Sequence, residues 1–163
     1  MLIGVCSDIH DNIPNLNKMI SIFKSNNVEI LVFCGDFCSP IPLSILGRYN
    51  GVVHCVFGNN DADRFSMLNT ANTSSKNVKL HGEYAELELD KIKTAVTHYP
   101  FYAKALAKTG DFKTVFYGHT HEYHKEFMGD CLLLNPGEVM GYFGGASCAI
   151  YDTNTHDAER IEL

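Results

Sequence analysis

Side chains able to hold a divalent cation recur at regular places along this chain, each at the end of an apolar run. The run from Met1 to Cys6 is followed by Asp8 and His10. Ile30 to Gly35 leads into Asp36, and Val52 to Gly58 leads into Asn59. Thr94 to Thr97 leads into His98, and Thr114 to Gly118 leads into His119, with His121 two positions further on. The set comprises two carboxylates, one amide oxygen and four imidazoles. That is too many donors for one tetrahedral ion, and it suits two divalent ions with open positions. Because no thiolate takes part, a structural zinc knot is disfavoured, and manganese, iron, nickel or zinc in a hydrolytic site is favoured. Two ions held ~3.5–4 Å apart need a bridging anion. Asp36, alone on its tip, is the candidate bridge. Residues i and i+2 of an extended segment point the same way, so Asp8 and His10 are expected to aim at one point from a strand tip.

The elements that must position these donors follow from periodicity. Asp11-Asn12-Ile13-Pro14 reads as a helix start, and Leu16, Met19, Ile20 and Phe23 form one apolar face. Ser25 to Asn27 ends that helix, and Glu29 to Cys34 is a second strand, giving a β-α-β unit with parallel strands. Ser39 to Pro42 opens a short helix over Leu43 to Tyr49, and Val52 to Phe57 is a third strand. Asp63 to Asn72 has helical character, although Asn69 to Ser75 is polar and turn-like. The second half alternates: Tyr84 to Leu89 and Ile92 to Thr97 make a hairpin, as do Tyr123 to Phe127 and Cys131 to Leu134. Between them, Phe101 to Lys108 reads as a helix and Lys113 to Tyr117 as a buried strand. Ala146 to Tyr151 and Ala158 to Glu162 finish the chain as strands. Two sheets with helices outside both accommodate this mixture, with ligands expected beyond the carboxyl ends of the parallel strands.

Composition narrows the class. The 163 residues, 45% hydrophobic and 20% charged, suit a single soluble domain spanning 1–163. The net charge of −6 argues against a nucleic-acid-binding surface. It leaves room for a phosphate ester, since bound cations would dominate the local field. Cys6, Cys34, Cys55 and Cys148 lie inside apolar runs and read as buried thiols of a reducing, cytoplasmic setting. The four-residue spacing of Cys34 and Cys38 leaves a metal clip or redox pair as the alternative. Neither a signal peptide nor a transmembrane run is evident.

Taken in order, the motifs Asp8-Ile9-His10, Gly35-Asp36, Gly58-Asn59-Asn60-Asp61, His98 and Gly118-His119-Thr120-His121 resemble those of the calcineurin-like metallophosphoesterase superfamily. Together with Asn135-Pro136-Gly137, they look like its small archaeal and bacterial phosphodiesterase branch, which is also similar to the retromer subunit Vps29. The resemblance implies a four-layer α-β-β-α sandwich of two mixed sheets. It implies a first cation on Asp8, His10, Asp36 and His121, and a second on Asp36, Asn59, His98 and His119. Manganese comes first, with nickel, cobalt, iron or zinc as alternatives. The implied reaction is hydrolysis of a small phosphodiester by a water shared between the cations. His10, Asn60 and Asp61 form the candidate catalytic set. Small relatives often form dimers, but no segment marks a homodimer interface. The alternatives are a Vps29-like protein-binding scaffold, or a phosphomonoesterase or nuclease of the same superfamily.

One position departs from the pattern of many relatives. Where they carry a His able to protonate the leaving group, this chain has Asn60, which cannot deliver a proton at neutral pH. The departure favours diesters with good leaving groups over alkyl monoesters. Asn60 is expected to orient the phosphoryl group, and Asp61 to steer a ligand or Asn60. Asp11 could do likewise, although helix capping explains it equally well. Among the other histidines, His54 reads as a core or sheet-face residue, and His81, His124 and His156 as surface or turn residues. His124 is near enough to the last motif for a minor site role to be the alternative. Asn135-Pro136-Gly137 reads first as a turn, and Gly144-Gly145 as a loop without a phosphate-cradling fingerprint.

Overall fold

The computed structural model describes residues 1–163, with the side chain of Ser74 left out of account. The first half alternates strand and helix: β1 (Leu2–Cys6), α1 (Ile13–Ser25), β2 (Ile30–Phe33), α2 (Pro40–Leu46), β3 (Val52–Cys55), α3 (Arg64–Ser74) and β4 (Val78–Leu80). The second half holds β5 (Tyr84–Leu89), β6 (Ile92–Thr97), α4 (Pro100–Thr109), β7 (Thr114–Phe116), β8 (Tyr123–Met128), β9 (Cys131–Pro136), β10 (Ser147–Asp152) and β11 (Asp157–Glu162). A six-stranded sheet runs in the order β11-β10-β1-β2-β3-β4 and a five-stranded sheet in the order β5-β6-β7-β9-β8. Strands β1 to β4 are mutually parallel, with β4 at the sheet edge, and so are β6, β7 and β9. The remaining strands pair antiparallel.

Three apolar layers hold four structural layers together, the expected α-β-β-α sandwich. On one side, Leu16, Met19 and Phe23 of α1 and Leu43 and Leu46 of α2 pack on Leu31, Phe33 and Val53. Between the sheets, Ile3, Val5, Val32 and Val56 meet Val96, Phe116, Leu132, Leu134 and Tyr151. On the far side, Ala103 and Ala107 of α4 cover Ala95, Val115 and Leu133. Strand alternation produces this division: Leu132 and Leu134 face the inner layer while Leu133 faces α4. Gly4 lies under Phe23, where an added Cβ would come within 2.8 Å of the ring.

Local signals account for most boundaries. Asn12 caps α1 by accepting from Asn15 N at 3.2 Å, with Pro14 in the first turn. The second helix starts and ends one turn earlier than expected, because Ser39 caps it and Pro40 and Pro42 form its first turn. Helix α3 continues through the polar segment to Ser74, anchored by Met67 and Ala71 on one face and capped by Asp63. The three-residue β4 is too short to stand out in the sequence. The expected turn at Asn135-Pro136-Gly137 is corrected: Asn135 and Pro136 are buried in β9, and the chain turns only at Gly137, with φ of +82°. Asn135 is held in the strand by donating to Gly118 O at 2.9 Å and Thr120 Oγ1 at 3.0 Å.

Candidate metal centre

The tips of β1, β2 and β3 in one sheet and of β6 and β7 in the other meet at one end of the sandwich. They do not do so by strand alternation, and here the expectation for Asp8 and His10 is corrected. Strand β1 stops at Cys6, and Asp8 (φ 54°) and His10 (φ 43°) are left-handed. Asp36 (65°), His119 (74°) and His121 (62°) are left-handed too. Such conformations cost roughly 1–3 kcal/mol each and persist where the surroundings over-determine them. Here backbone bonds do so. Asp8 N donates to Gly35 O at 3.0 Å, His10 N to Asp36 O at 3.2 Å, Gly118 N to His98 O at 3.1 Å and Met140 N to Asp8 O at 2.9 Å. Glycines allow the tips to approach: a Cβ on Gly58 would collide with the Asp36 carboxylate, and one on Gly118 with the Ser7 hydroxyl.

All seven sequence-predicted donors come together. His121 Nε2 lies 3.5 Å and His10 Nε2 3.8 Å from Asp8 Oδ1. His98 Nε2 is 3.0 Å and His119 Nδ1 2.8 Å from Asn59 Oδ1. Asp36 Oδ2 stands between the two sets, 3.5 Å from His10 Nε2 and 3.4 Å from His98 Nε2. Donor atoms of Asp8, His10 and His121 lie within 4.8 Å of one another, and so do those of Asp8, Asp36 and His98. Asp8, Asp36 and His98 are buried, His10 and His121 are half-buried, and Asn59 and His119 are exposed at the mouth.

The imidazoles are oriented from behind. His98 Nδ1 donates to Cys34 O at 2.7 Å, which turns Nε2 toward Asp36, where it is a donor to the carboxylate when protonated and a ligand for a cation when not. His121 Nδ1 lies 2.7 Å from Glu138 Oε2, and His10 Nδ1 3.3 Å from Cys38 Sγ. Glu138 and Cys38 were not singled out for these roles by the sequence. Glu138 is buried and distant from its partner in the chain, so no motif marks it.

Asp61 ties the tips together. Its Oδ2 accepts from Asp36 N at 3.0 Å and Gly58 N at 2.7 Å, and its Oδ1 from Phe37 N at 2.7 Å and Cys38 N at 2.9 Å. Asn60 turns toward Asp36, donating from its backbone at 2.8 Å and from its side-chain amide at 2.7 Å. Asp11 lies apart and accepts from Ser39 Oγ at 2.6 Å. The remaining histidines make separate pairs. His54 Nδ1 is 2.9 Å from His81 Nε2, His124 meets Tyr117 Oη at 3.0 Å, and His156 meets Tyr151 Oη at 2.8 Å. All six cysteines are free.

The local field suits a cation. Burial alone would raise the Asp36 carboxyl, but hydrogen bonding and charge from His98, with the two Asn60 hydrogen bonds, hold it far below the usual carboxylate range. The Asp8 carboxylate, 3.8 Å from His10 Nε2, raises His10 against its burial, and Asp36 adds to the rise. Burial lowers His98, yet Asp36 and the charge of Asp8 raise it overall. Among the described residues, the buried side-chain atoms without a hydrogen-bond partner are Asp8 Oδ1 and His10 Nε2. Leaving such atoms unpaired costs about 1–3 kcal/mol each. Both belong to the same donor set, and a divalent cation would satisfy them together. The residues therefore fit a metal.

A family model described as the calcineurin-like phosphoesterase superfamily domain matches residues 1–156. The curated protein Phosphodiesterase MJ0936 of Methanocaldococcus jannaschii is 34% identical over 166 aligned residues, covering 100% of this chain and 99% of its own. A solved structure described as a novel archaeal phosphodiesterase superposes with a TM-score of 0.93 at 34% identity, covering 100% of both chains. Vps29 from Entamoeba histolytica, solved in complex with zinc, superposes with a TM-score of 0.70 at 17% identity, covering 99% of both chains; this likeness concerns the fold alone.

Proposed function

This chain belongs to the calcineurin-like phosphoesterase superfamily, and we propose that it is a metal-dependent phosphodiesterase whose two cations are held by Asp8, His10, Asp36, Asn59, His98, His119 and His121. Asp8, His10, Asp36 and His121 would hold one, and Asp36, Asn59, His98 and His119 the other, with manganese the metal of choice for this oxygen and nitrogen set. The observation that carries the reading is the orphaned pair Asp8 Oδ1 and His10 Nε2, 3.8 Å apart within one donor set. When bound, the cations would acidify a water and neutralise phosphoryl oxygens.

The chain's own residues do the rest. Cys34 O and Glu138 hold His98 and His121 with their Nε2 atoms facing the centre. Asp61 fixes the distance between the Asp36 and Asn59 tips. Asn60 supports Asp36 and offers no proton to a departing oxygen. A substrate with a good leaving group needs none, which favours aryl or similar diesters over alkyl monoesters. The substrate is a small diester rather than a polymeric nucleic acid, in keeping with the net charge of −6. The chain acts as a single domain over 1–163. A cytoplasmic setting accords with six free thiols, all of them pushed up by burial. Among the described residues no helix is long and apolar enough to cross a membrane.

The test is hydrolysis of bis-p-nitrophenyl phosphate after dialysis against chelator and return of manganese. A rate restored by metal, well above that on p-nitrophenyl phosphate, is expected. No rate above background with manganese, nickel, cobalt, iron or zinc would overturn the enzyme reading.

A further inference from the structure

Each half of the donor constellation is bordered by an aromatic ring that opens onto its own cleft. Tyr99 stands edge-on to His98, with ring centroids 5.3 Å apart, and tilted against His119 at 5.8 Å. Tyr99 also packs edge-on against Tyr102 at 5.9 Å. Both tyrosines line a largely apolar cleft of about 520 Å³ with Tyr84, Thr97 and Leu106. On the other donor set, Phe143 meets His121 edge-on at 5.0 Å. His121 and Phe143 line a separate cleft of about 390 Å³ with Thr120, Glu122 and Gly144. The two clefts share no residue, and volumes of this order match small-ligand sites.

The rings gain little from the fold. Tyr102 is 56% exposed and Phe143 is 70% exposed, so neither packs a core. Phe143 is nevertheless held in register with the centre. Glu138 Oε1 accepts from Phe143 N at 2.6 Å and Gly144 N at 3.0 Å, while Oε2 of the same carboxylate orients His121. An exposed ring tied by one side chain to a metal-facing imidazole points to a ligand-contacting role.

We propose that the two clefts receive the two ester arms of the substrate, so that the site selects diesters carrying a planar aromatic or heteroaromatic ring on each arm. The inference rests on the phosphodiesterase reading, since a phosphoryl group held across both donor sets directs one arm toward each cleft. A monoester has a single arm and fills only one. Stacking of a flat ring on an aromatic side chain tolerates many ring types. The expected class therefore embraces nucleoside and aryl diesters alike.

The test measures binding, so that it does not depend on turnover. Manganese-loaded protein is titrated calorimetrically with diphenyl, methyl phenyl and dimethyl phosphate, for the native sequence, Tyr102→Ala and Phe143→Ala. The native protein should prefer diphenyl phosphate, with methyl phenyl phosphate intermediate. Each variant should weaken diphenyl phosphate about tenfold, within the range for loss of one stacked ring, and should move dimethyl phosphate less than twofold. Equal affinity for the three esters, or variants that weaken all three alike, would overturn the proposal. So would variants that change the sedimentation behaviour but not the ester preference, an outcome that would assign the rings to a second copy of the chain. If the ring preference holds while bis-p-nitrophenyl phosphate is not hydrolysed, the assigned reaction fails and the two ring subsites stand.

Discussion

Glu138 does two jobs with one carboxylate: Oε2 orients His121, and Oε1 pins the backbone at Phe143 and Gly144. Glu138→Gln keeps the shape, but it weakens the hold on the His121 tautomer. Loss of such a supporting partner costs about 10–100-fold in metal affinity or activity; competitive metal titration and the manganese dependence of the diesterase rate both check it. On the proposed reading, Asn60 is the residue that sets reaction class. Asn60→His restores a group able to donate a proton, an effect worth about 10²–10⁴-fold where the leaving group needs one. Activity on p-nitrophenyl phosphate should rise relative to bis-p-nitrophenyl phosphate; an unchanged ratio would count against the role given to this position. The seven candidate donors were legible as residue types at the ends of apolar runs, and the structure brings them together. Glu138 and Cys38 were not, because a carboxylate or thiol that orients a neighbour carries no spacing signature. The left-handed backbone at Asp8 and His10 was equally hidden, since Asp and His tolerate that conformation without a glycine to announce it.

At the scale of elements, Asp61 joins the β2 and β3 tips through four backbone N–H groups from a buried position. Asp61→Asn sets an N–H₂ against donors, and should destabilise the fold by about 3 kcal/mol. For a chain of this size that is a fall of roughly 6–12 °C in Tm, read by thermal unfolding, with a parallel loss of diesterase activity. Strand β3 is tied elsewhere to the residue after β4 by a stacked histidine pair, His54 and His81, with ring centroids 5.2 Å apart. Burial, then the charges of His81 and Lys79, push His54 down to about 4, and burial and Lys79 lower His81. An unfolded imidazole titrates near ~6.5. Between these values the unfolded chain binds more protons than the folded one, so stability is full above the unfolded value and is lost as pH falls toward about 4. His54→Gln should therefore lose less stability than the native protein between pH ~7 and ~5 in urea unfolding; equal losses would refute the assignment. Helix α1 was legible from apolar spacing, α4 as a helical stretch over Phe101 to Lys108, and the hairpins from their strand pairs. The end of α3 was not, because its outer face is solvated and, among the described residues, its buried core contacts come from Met67 and Ala71.

For the whole molecule, the four-layer architecture could be read from the β-α order of the first half and the alternating strands of the second. Strand order could not. Nothing local tells β9 to insert between β7 and β8, or β10 to cross to the other sheet and lie beside β1. Only the shared inner layer, where Tyr151 meets Phe116 at 5.6 Å, settles that choice. Because both sheets contribute donors, cations should stabilise the assembled sandwich rather than either half. Ligand present at about a thousandfold over its Kd adds roughly 4 kcal/mol per site, so chelator should lower the Tm by several degrees and manganese restore it. Asp36→Asn should show no such difference in a fluorescence melt.

The return of β10 to β1 also sets a timetable. Leu2 pairs with Asp152 and Val5 with Ala149, so the first strand made waits for one of the last. Ribosomes add about 5–20 residues per second, so that wait lasts on the order of ten seconds. Early in it Asp8, His10 and Asp36 are already synthesised while His119 and His121 are not. A nascent chain first lacks part of the candidate donor set and then, with all seven residues made, still lacks the strand that anchors β1, so on the proposed reading cations are captured only once β10 is in reach. Arrested chains ending before β10 should bind manganese far more weakly than the released protein.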